Sequence, residues 1–320
     1  MDVSFLTPID ALFALAAAVP LLALVVTERR STRIRAALSV AAPRRRGFVP
    51  VVVALVLLPA LVGAAATQPV VVRQQLVPER TDTQAFFVFD TSTSMSARAA
   101  PAAPTRLERA KREALRLRRA LTDVPVGVAV MTDRTLPTLM PTTDAALFAR
   151  TVAQSVGINR PPPSQRYPGR ATTLEALLPV ATSRFYSRGV THRLLVVFTD
   201  GESSPLSSTL RYTVQLDALP SPLIVHVWSP REQIFVRGRA DRGYVPDPTS
   251  GRALATFARL AHGRTFGENQ IGQAAAALRD AAGHGPTTTA VSAYVRIPLA
   301  PWFALAGVLP LGFLLWRRNR

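Results

Sequence analysis

Cysteine is absent from this 320-residue chain, and only 7% of its residues are aromatic. Without cysteine the chain has no disulfide framework, no thiolate metal ligand and no catalytic thiol. It also lacks a Walker phosphate loop, a Gly-x-Ser-x-Gly nucleophile elbow and a His-Glu-x-x-His helix. Its four histidines show no spacing typical of metal ligands. These absences predict that the protein is not an enzyme.

Lysine is nearly absent as well, because all but one of the 38 basic residues are arginine and Lys111 is the exception. The formal net charge of +18 is compatible with nucleic-acid binding or with a membrane protein that has arginine-rich flanks. The hydrophobic share of 48% comes mostly from Ala, Leu and Val in three long runs. The runs favour the membrane protein, and we expect no nucleic-acid partner.

The three runs predict three transmembrane helices over residues 1–27, 48–66 and 297–316. Seven arginines lie in the loop 28–47 and three in the tail 317–320. The positive-inside rule makes both segments cytoplasmic and places residues 67–296 outside the cytoplasmic membrane. Between the spans we expect a connector at 67–83, a folded domain at 84–283 and a second connector at 284–296. Residues 44–66 also resemble a signal peptide, which leaves cleavage after Ala66 as an alternative.

The folded domain is organised around residues 86–96, where an apolar strand leads directly into a polar loop. Asp90 ends the strand, and the hydroxyls of Ser92 and Ser94 follow at alternate positions. Three hard oxygen donors on one short loop suit a small divalent cation such as Mg²⁺. The alternative interpretation, without a metal, is a capped turn between a strand and a helix.

Two later segments support the metal interpretation. Thr172 and Thr173 stand immediately before a predicted helix, and Asp200 follows a second apolar strand over residues 194–199. One of the two threonines can instead be a helix cap. Strands alternate with helices along the domain, which predicts an α/β fold with a doubly wound, mostly parallel sheet flanked by helices.

Such a sheet binds ligands at the carboxyl ends of its strands, where the strand order reverses. The strand that ends at Asp200 is the fourth if residues 136–140 form a side hairpin, so Asp90 and Asp200 should flank that point. Two facing carboxylates repel each other unless a cation lies between them. The same reasoning places Val88 and Val197 in adjacent buried strands.

With these three segments in this order, residues 83–283 resemble the von Willebrand factor type A (VWA) family and its metal-ion-dependent adhesion site. The resemblance implies that the ligands of Mg²⁺, or of Mn²⁺ or Ca²⁺, are Asp90, Ser92, Ser94, Thr172 and Asp200. Thr173 is the alternative to Thr172, because Arg170 and Ala171 stand where the family has two glycines. It also implies metal-dependent binding of a protein partner that offers an acidic side chain.

Residues 5–12, together with two spans, a VWA domain and a third span, resemble the Bat (aerotolerance-regulator) group of bacterial membrane proteins. This resemblance implies a multi-pass protein of the cytoplasmic membrane, with a MoxR-type ATPase or other VWA membrane proteins as partners. A MoxR-type ATPase is cytoplasmic and could touch only the loop 28–47 and the tail.

Two features leave alternatives open. The protein could be a structural subunit of a membrane complex whose metal site is empty or purely structural. The predicted helix 106–119 carries seven basic residues, which we interpret as a solvated face, with docking to anionic lipid or wall polymer as the alternative.

Overall fold

The computed structural model describes residues 2–38, 49–163, 172–182, 185–204 and 219–319. These residues form two compact units. One consists of residues 1–75 and 293–320, and the other of residues 76–292. The larger unit extends beyond the predicted domain 84–283 at both ends. Arg170, Ala171 and residues 39–48 of the predicted loop and second span lie outside the described residues.

The described residues contain eleven strands and eight α-helices. The strands are β1 (Asp2–Phe5), β2 (Pro69–Arg80), β3 (Thr83–Asp90), β4 (Val126–Met131), β5 (Thr135–Thr142), β6 (His192–Thr199), β7 (Pro222–His226), β8 (Phe235–Val236), β9 (Arg239–Ala240), β10 (Arg264–Gly267) and β11 (Thr287–Pro298). The helices are α1 (Ala18–Ala37), α2 (Val49–Ala66), α3 (Arg106–Arg118), α4 (Ala145–Gln154), α5 (Leu178–Thr182), α6 (Ser250–Leu260), α7 (Ile271–Ala282) and α8 (Ala300–Arg318). Short 3-10 helices cover Pro8–Ala17, Thr93–Ser96, Leu174–Leu177 and Glu268–Gln270.

A six-stranded sheet in the order β10-β7-β6-β3-β4-β5 forms the centre of the larger unit. All neighbours pair in parallel except β5, which joins β4 as an antiparallel edge strand. Val88 of β3 lies opposite Val197 of β6 and Ala129 of β4, and all three are fully buried. The predicted fold class and the predicted neighbours β3 and β6 are therefore confirmed.

The two faces of β3 explain why its residues 85–89 are all apolar. Successive side chains of a strand point to opposite faces, so Phe87 and Phe89 pack on one side with Phe148 of α4. Phe86 and Val88 pack on the other side, which α6 and the 3-10 helix Leu174–Leu177 cover. Because helices cover both faces, the only polar group that β3 carries at its carboxyl end is Asp90.

The smaller unit holds the candidate membrane spans. Three helical segments are long and apolar enough to cross a membrane: Pro8–Arg35, Val49–Ala66 and Ala300–Arg318. Helix α1 continues to Ala37, so the first ten residues of the predicted loop 28–47 are helical. Strand β2 lies in the predicted connector 67–83. Strand β11 starts in the predicted connector 284–296 and runs to Pro298, two residues into the predicted span 297–316. Both strands form a three-stranded sheet with β1.

Candidate metal centre

The carboxylate of Asp90 is held at the end of β3 by its own loop and by the neighbouring strand. Its Oδ1 accepts a hydrogen bond from the backbone N–H of Ser92 at 2.9 Å. Its Oδ2 accepts one from the hydroxyl of Thr199, the last residue of β6, at 2.7 Å. The side chain of Asp90 is fully buried, and no arginine, lysine or histidine of the described residues forms an ion pair with it. Its charge is therefore uncompensated.

The two serines of the loop lie side by side. The Oγ atoms of Ser92 and Ser94 are 2.9 Å apart. The hydroxyl of Ser92 also donates a hydrogen bond to the carboxylate of Asp90, and the hydroxyl of Ser94 donates one to the carboxylate of Asp200. The alternation of the motif thus turns both hydroxyls toward one point, with a carboxylate beside each. This is the convergence that the sequence predicted for the loop.

Asp200 follows β6 and lies in a different environment. Its Oδ1 accepts from the backbone N–H of Glu202 at 3.0 Å, and its Oδ2 accepts from Nη1 of Arg106 at 2.9 Å. Gly201 between them has a φ of +72°, and a Cβ there would come within 2.8 Å of Leu254. Glycine is needed at this turn for both reasons.

The two candidate threonines have different positions. The hydroxyl of Thr173 accepts from the backbone N–H of Glu175 at 3.3 Å and caps the 3-10 helix Leu174–Leu177. Thr172 is 2% exposed and lines the same cleft as Ser92 and Ser94. Thr173 is therefore the helix cap, and Thr172 is the threonine that faces the candidate site.

A buried arginine that the sequence analysis assigned to a solvated face lies behind the site. Arg106, at the first position of α3, is 0% exposed. Its Nη1 also contacts Oε1 of Glu202 at 2.9 Å, and its Nε contacts Oε2 of Glu232 at 2.6 Å. The rings of Trp228 and Tyr244 lie 5.9 and 6.0 Å from its guanidinium carbon, within the range of cation–π attraction.

The interpretation of helix 106–119 as a solvated face is thus wrong for its two buried arginines, Arg106 and Arg118. Arg109 is also drawn in, because it pairs with Glu232 at 2.6 Å and with Glu268 at 2.8 Å. The sequence does contain a signal that could have placed Arg106 near the site. The capping box of Thr105 starts the helix shortly after the serine loop. The first turn of α3 must then lie at the sheet edge that carries the acidic residues.

The environments of the two aspartates change their ionisation. Burial, together with the nearby charge of Asp200, raises the pKa of Asp90 to about 7. Burial also raises the pKa of Asp200, with Glu202 in the same direction, while Arg106 opposes the shift. Burial disfavours the charge on Arg106, but Asp200 and Glu232 outweigh it and raise its pKa above the usual value. Burial thus disfavours the charge of both aspartates, and of the two only Asp200 has an arginine beside it.

The ring of His226 contacts the backbone of Asp200. It is half-buried at the end of β7, and its Nε2 lies 3.0 Å from the backbone carbonyl of Asp200 and 3.3 Å from the hydroxyl of Ser250. Its ring stacks on that of Trp228 at 6.1 Å. Burial lowers the pKa of His226. Its ring is therefore uncharged at neutral pH and holds the Asp200 loop through these contacts.

The residues present fit a divalent metal ion. Every candidate donor is a carboxylate or hydroxyl oxygen, the chemistry that Mg²⁺, Mn²⁺ and Ca²⁺ take. Asp90 is a buried carboxylate that lacks a cation, and Ser92, Ser94 and Thr172 line an open cleft of about 400 Å³. In the described residues, no group of three or more His, Cys, Asp or Glu could hold a metal. Hydroxyls would therefore have to complete the donor set.

Comparison with known proteins adds a sequence match to this geometry. Residues 85–202 match the sequence model of the von Willebrand factor type A domain. No curated protein matches the chain significantly.

Two solved structures are similar in fold. One is an aerotolerance-related membrane protein from Bacteroides fragilis, with 20% identity over 62% of this chain and 97% of that chain, at a TM-score of 0.50. The other is the conserved hypothetical protein BatB from Bacteroides thetaiotaomicron, with 21% identity over 62% and 99% of the two chains, at a TM-score of 0.48. The matched residues and the sheet topology together show that residues 85–202 have the fold of a VWA domain, and the Bacteroides fragilis protein is similar to this chain in fold.

Proposed function

We propose that this protein is a membrane-anchored VWA protein that binds a protein partner through a divalent metal ion, Mg²⁺ in the first instance. The observation that carries the proposal is the uncompensated, fully buried carboxylate of Asp90, which accepts from the hydroxyls of Thr199 and Ser92. Ser92 also lines the open cleft, together with Ser94 and Thr172. A bound dication would supply the missing positive charge and an electrophilic coordination position.

The roles of the residues follow from their contacts. Asp90 and Asp200 provide the negative charge, and Ser92, Ser94 and Thr172 provide neutral oxygens. Two carboxylates and three hydroxyls leave room in the coordination sphere of a dication, so a carboxylate from the partner can enter from the cleft. Among the described residues, the serine hydroxyls contact each other and the two aspartates, which we assign to metal binding, and we propose no catalysis.

Isothermal titration of the full-length protein in detergent with Mg²⁺ and Mn²⁺ tests the metal site. We expect binding at millimolar ion or below, and we expect Asp90→Ala to abolish it. Asp241→Asn is the matched control, because Asp241 lines the same cleft but is exposed. That variant should bind the ion as the wild type does.

Two results would overturn the metal proposal. The wild-type protein could fail to bind any divalent ion at millimolar concentration, or the Asp90→Ala variant could bind as well as the wild type. Either result favours the alternative, a structural subunit whose site works without metal. The contact of Arg106 with Asp200 favours that alternative, because an internal cation already compensates one of the two carboxylates.

We further propose that the VWA domain lies on the outer face of the cytoplasmic membrane, with residues 28–47 and 317–320 in the cytoplasm. The arginine distribution supports this orientation. A reporter active only outside the cytoplasm should work when fused after Gly283 and fail when fused within residues 28–47. The opposite pattern would place the domain inside the cell, where a MoxR-type ATPase could reach it directly.

A further inference from the structure

The segment that follows β7, residues 231–247, is attached at its start to the loops of the candidate metal site. We call this segment the arm. Glu232 is 2% exposed and pairs with Arg106 and Arg109, both at 2.6 Å. The backbones of Gln233 and Arg98 exchange two hydrogen bonds of 3.0 Å. Arg98 lies shortly after the serine loop, so the beginning of the arm is fastened beside that loop.

The end of the arm is attached to the loop of Asp200. The hydroxyl of Tyr244 donates to Oε1 of Glu202 at 2.9 Å, and the backbone N–H of Asp247 donates to the same oxygen at 3.2 Å. Glu202 itself is 4% exposed and bound to Arg106. Both ends of the arm thus meet the same buried ionic cluster, which also holds Asp200.

Between these attachments the arm forms a hairpin. Strands β8 and β9 pair Phe235 with Ala240 and Val236 with Arg239. The two residues between the strands, Arg237 and Gly238, have φ values of 50° and +80°. Two consecutive positive φ angles are the geometry of a type I′ turn, which suits the twist of a two-residue hairpin. The arm therefore holds its side chains in defined positions beside the cleft.

The arm forms one wall of the cleft and carries a strong positive charge. Ile234, Asp241, Gly243, Tyr244 and Val245 line the cleft opposite the serines and Thr172. Four arginines of the arm are exposed: Arg231, Arg237, Arg239 and Arg242.

The arm has little negative charge to balance these arginines. No ion pair of theirs occurs in the part of the chain that the structure describes. The exposed acidic residue of the arm is Asp241, whose Oδ1 accepts from the N–H of Gly243. Asp247, at the end of the arm, is half-buried, and its Oδ1 accepts from the N–H and the hydroxyl of Thr249. Four arginines against these two aspartates leave an excess of two positive charges on the arm.

We propose that the arm is a docking surface for an acidic segment of the partner protein, so that carboxylates on both sides of the metal-bound one meet the exposed arginines. This inference rests on the proposed function and specifies its partner. Charge complementarity carries it, because Arg242 lies between two residues that line the cleft, and Arg237 and Arg239 lie in the hairpin of the same arm. The described residues leave all of these arginines without ion pairs. A partner with a single isolated carboxylate would use the metal site and leave the arm without a contact.

Two labelled peptides of equal length test the proposal on the full-length protein in uncharged detergent with Mg²⁺. One contains a single Glu among Ser and Gly residues, and the other has five consecutive Glu residues in the same frame. We expect the acidic peptide to bind roughly tenfold more tightly at low salt, since each exposed charge pair contributes modestly. Added salt should reduce this gain, because such pairs are screened.

The variant R237Q/R239Q/R242Q should lose the gain for the acidic peptide while it still binds Mg²⁺ and the single-Glu peptide. The matched control is R188Q/R259Q/R279Q, which removes the same charge. Arg259 and Arg279 lie in the last turns of α6 and α7, and Arg188 precedes β6, so these residues lie toward the opposite edge of the parallel sheet. All six arginines are exposed, and both variants should melt as the wild type does.

Three outcomes separate the two proposals. If the arm variant keeps the full gain, or if the control loses as much, the docking surface is wrong. If the arm variant loses binding to phosphatidylglycerol vesicles but keeps the peptide gain, the arm contacts lipid and the proposal is again wrong. If neither peptide nor Mg²⁺ binds to the wild type, the proposed function itself fails.

Discussion

Asp90 and Asp200 end neighbouring strands and are equally buried, but the protein treats their charges differently. Asp200 contacts Arg106 at 2.9 Å, whereas Asp90 receives only a backbone N–H and hydroxyls. Arg106 also reaches Glu202 and Glu232, so the Asp200 side belongs to an internal ionic cluster. The comparison teaches that the chain supplies a cation for one carboxylate and, within the described residues, none for the other.

Removal of the internal cation should have the largest effect. Arg106→Met would leave Asp200, Glu202 and Glu232 buried without their shared partner, which we expect to cost about 3–5 kcal/mol. Thermal melting of the full-length protein in detergent measures it. Arg112→Gln, on the exposed side of the same helix, is the control and should change stability by less than about 0.5 kcal/mol. A small loss in Arg106→Met would show that the cluster does not hold the Asp200 side together.

The pH dependence of the metal-free protein should report on the Asp90 side. The folded-state pKa of Asp90, about 7, lies above its ordinary value of 3.8, so the folded state binds a proton that the unfolded state has released. Its stabilising contribution is complete below pH 3.8 and is lost as the pH rises through 7. We expect the free energy of unfolding to fall by a few kcal/mol from pH 5 to pH 8. The slope is about 1.4 kcal/mol for each pH unit below the folded-state pKa.

Mg²⁺ and Asp90→Asn are the two controls of this pH experiment. Saturating Mg²⁺ should restore stability at pH 8, because the ion replaces the proton. Asp90→Asn should reduce the fall between pH 5 and pH 8, since the titrating group is gone. An unchanged fall in Asp90→Asn would assign the pH dependence to another group.

Exchange of each aspartate for asparagine compares the two sides directly. Asp200→Asn removes a charged partner of Arg106, and we expect a loss of about 1.5–3 kcal/mol in the metal-free protein. Asp90→Asn removes a charge that lacks a cation, so at pH 8 it should leave stability unchanged or raise it. Chemical denaturation of both variants in EDTA measures the difference. Equal losses would contradict the contrast between the two carboxylates.

The smallest expected effect concerns the attachment of the arm to the cluster. Tyr244→Phe removes a hydroxyl that donates to Glu202 and should reduce stability by about 1 kcal/mol. Trp228 also donates to Glu202, at 2.9 Å, so its fluorescence can follow the change. In a Trp302→Phe, Trp316→Phe background, Trp228 is the remaining tryptophan of the chain. An unaltered emission spectrum would indicate that Tyr244 does not influence this site.

The sequence alone was sufficient to predict the fold and the position of the acidic residues. A strand covered on both faces must be apolar throughout, so the runs that end at Asp90 and Asp200 were visible as buried strands. Parallel strands bring their carboxyl ends to one edge, which predicted that these two residues meet. The metal role of Asp90, Ser92, Ser94, Thr172 and Asp200 stays a prediction.

The partners of the charges were decided only by the tertiary structure. Arg106 and Asp200 are separated by 94 positions in the chain. The capping box places Arg106 in the first turn of its helix, but no local pattern shows which distant carboxylates it contacts. The attachment of the arm depends in the same way on Glu202 and Tyr244, which are 42 positions apart. Backbone periodicity is a local property that a sequence displays directly. Charge pairing depends on which distant side chains the packed sheet and its helices bring within about 3 Å of one another.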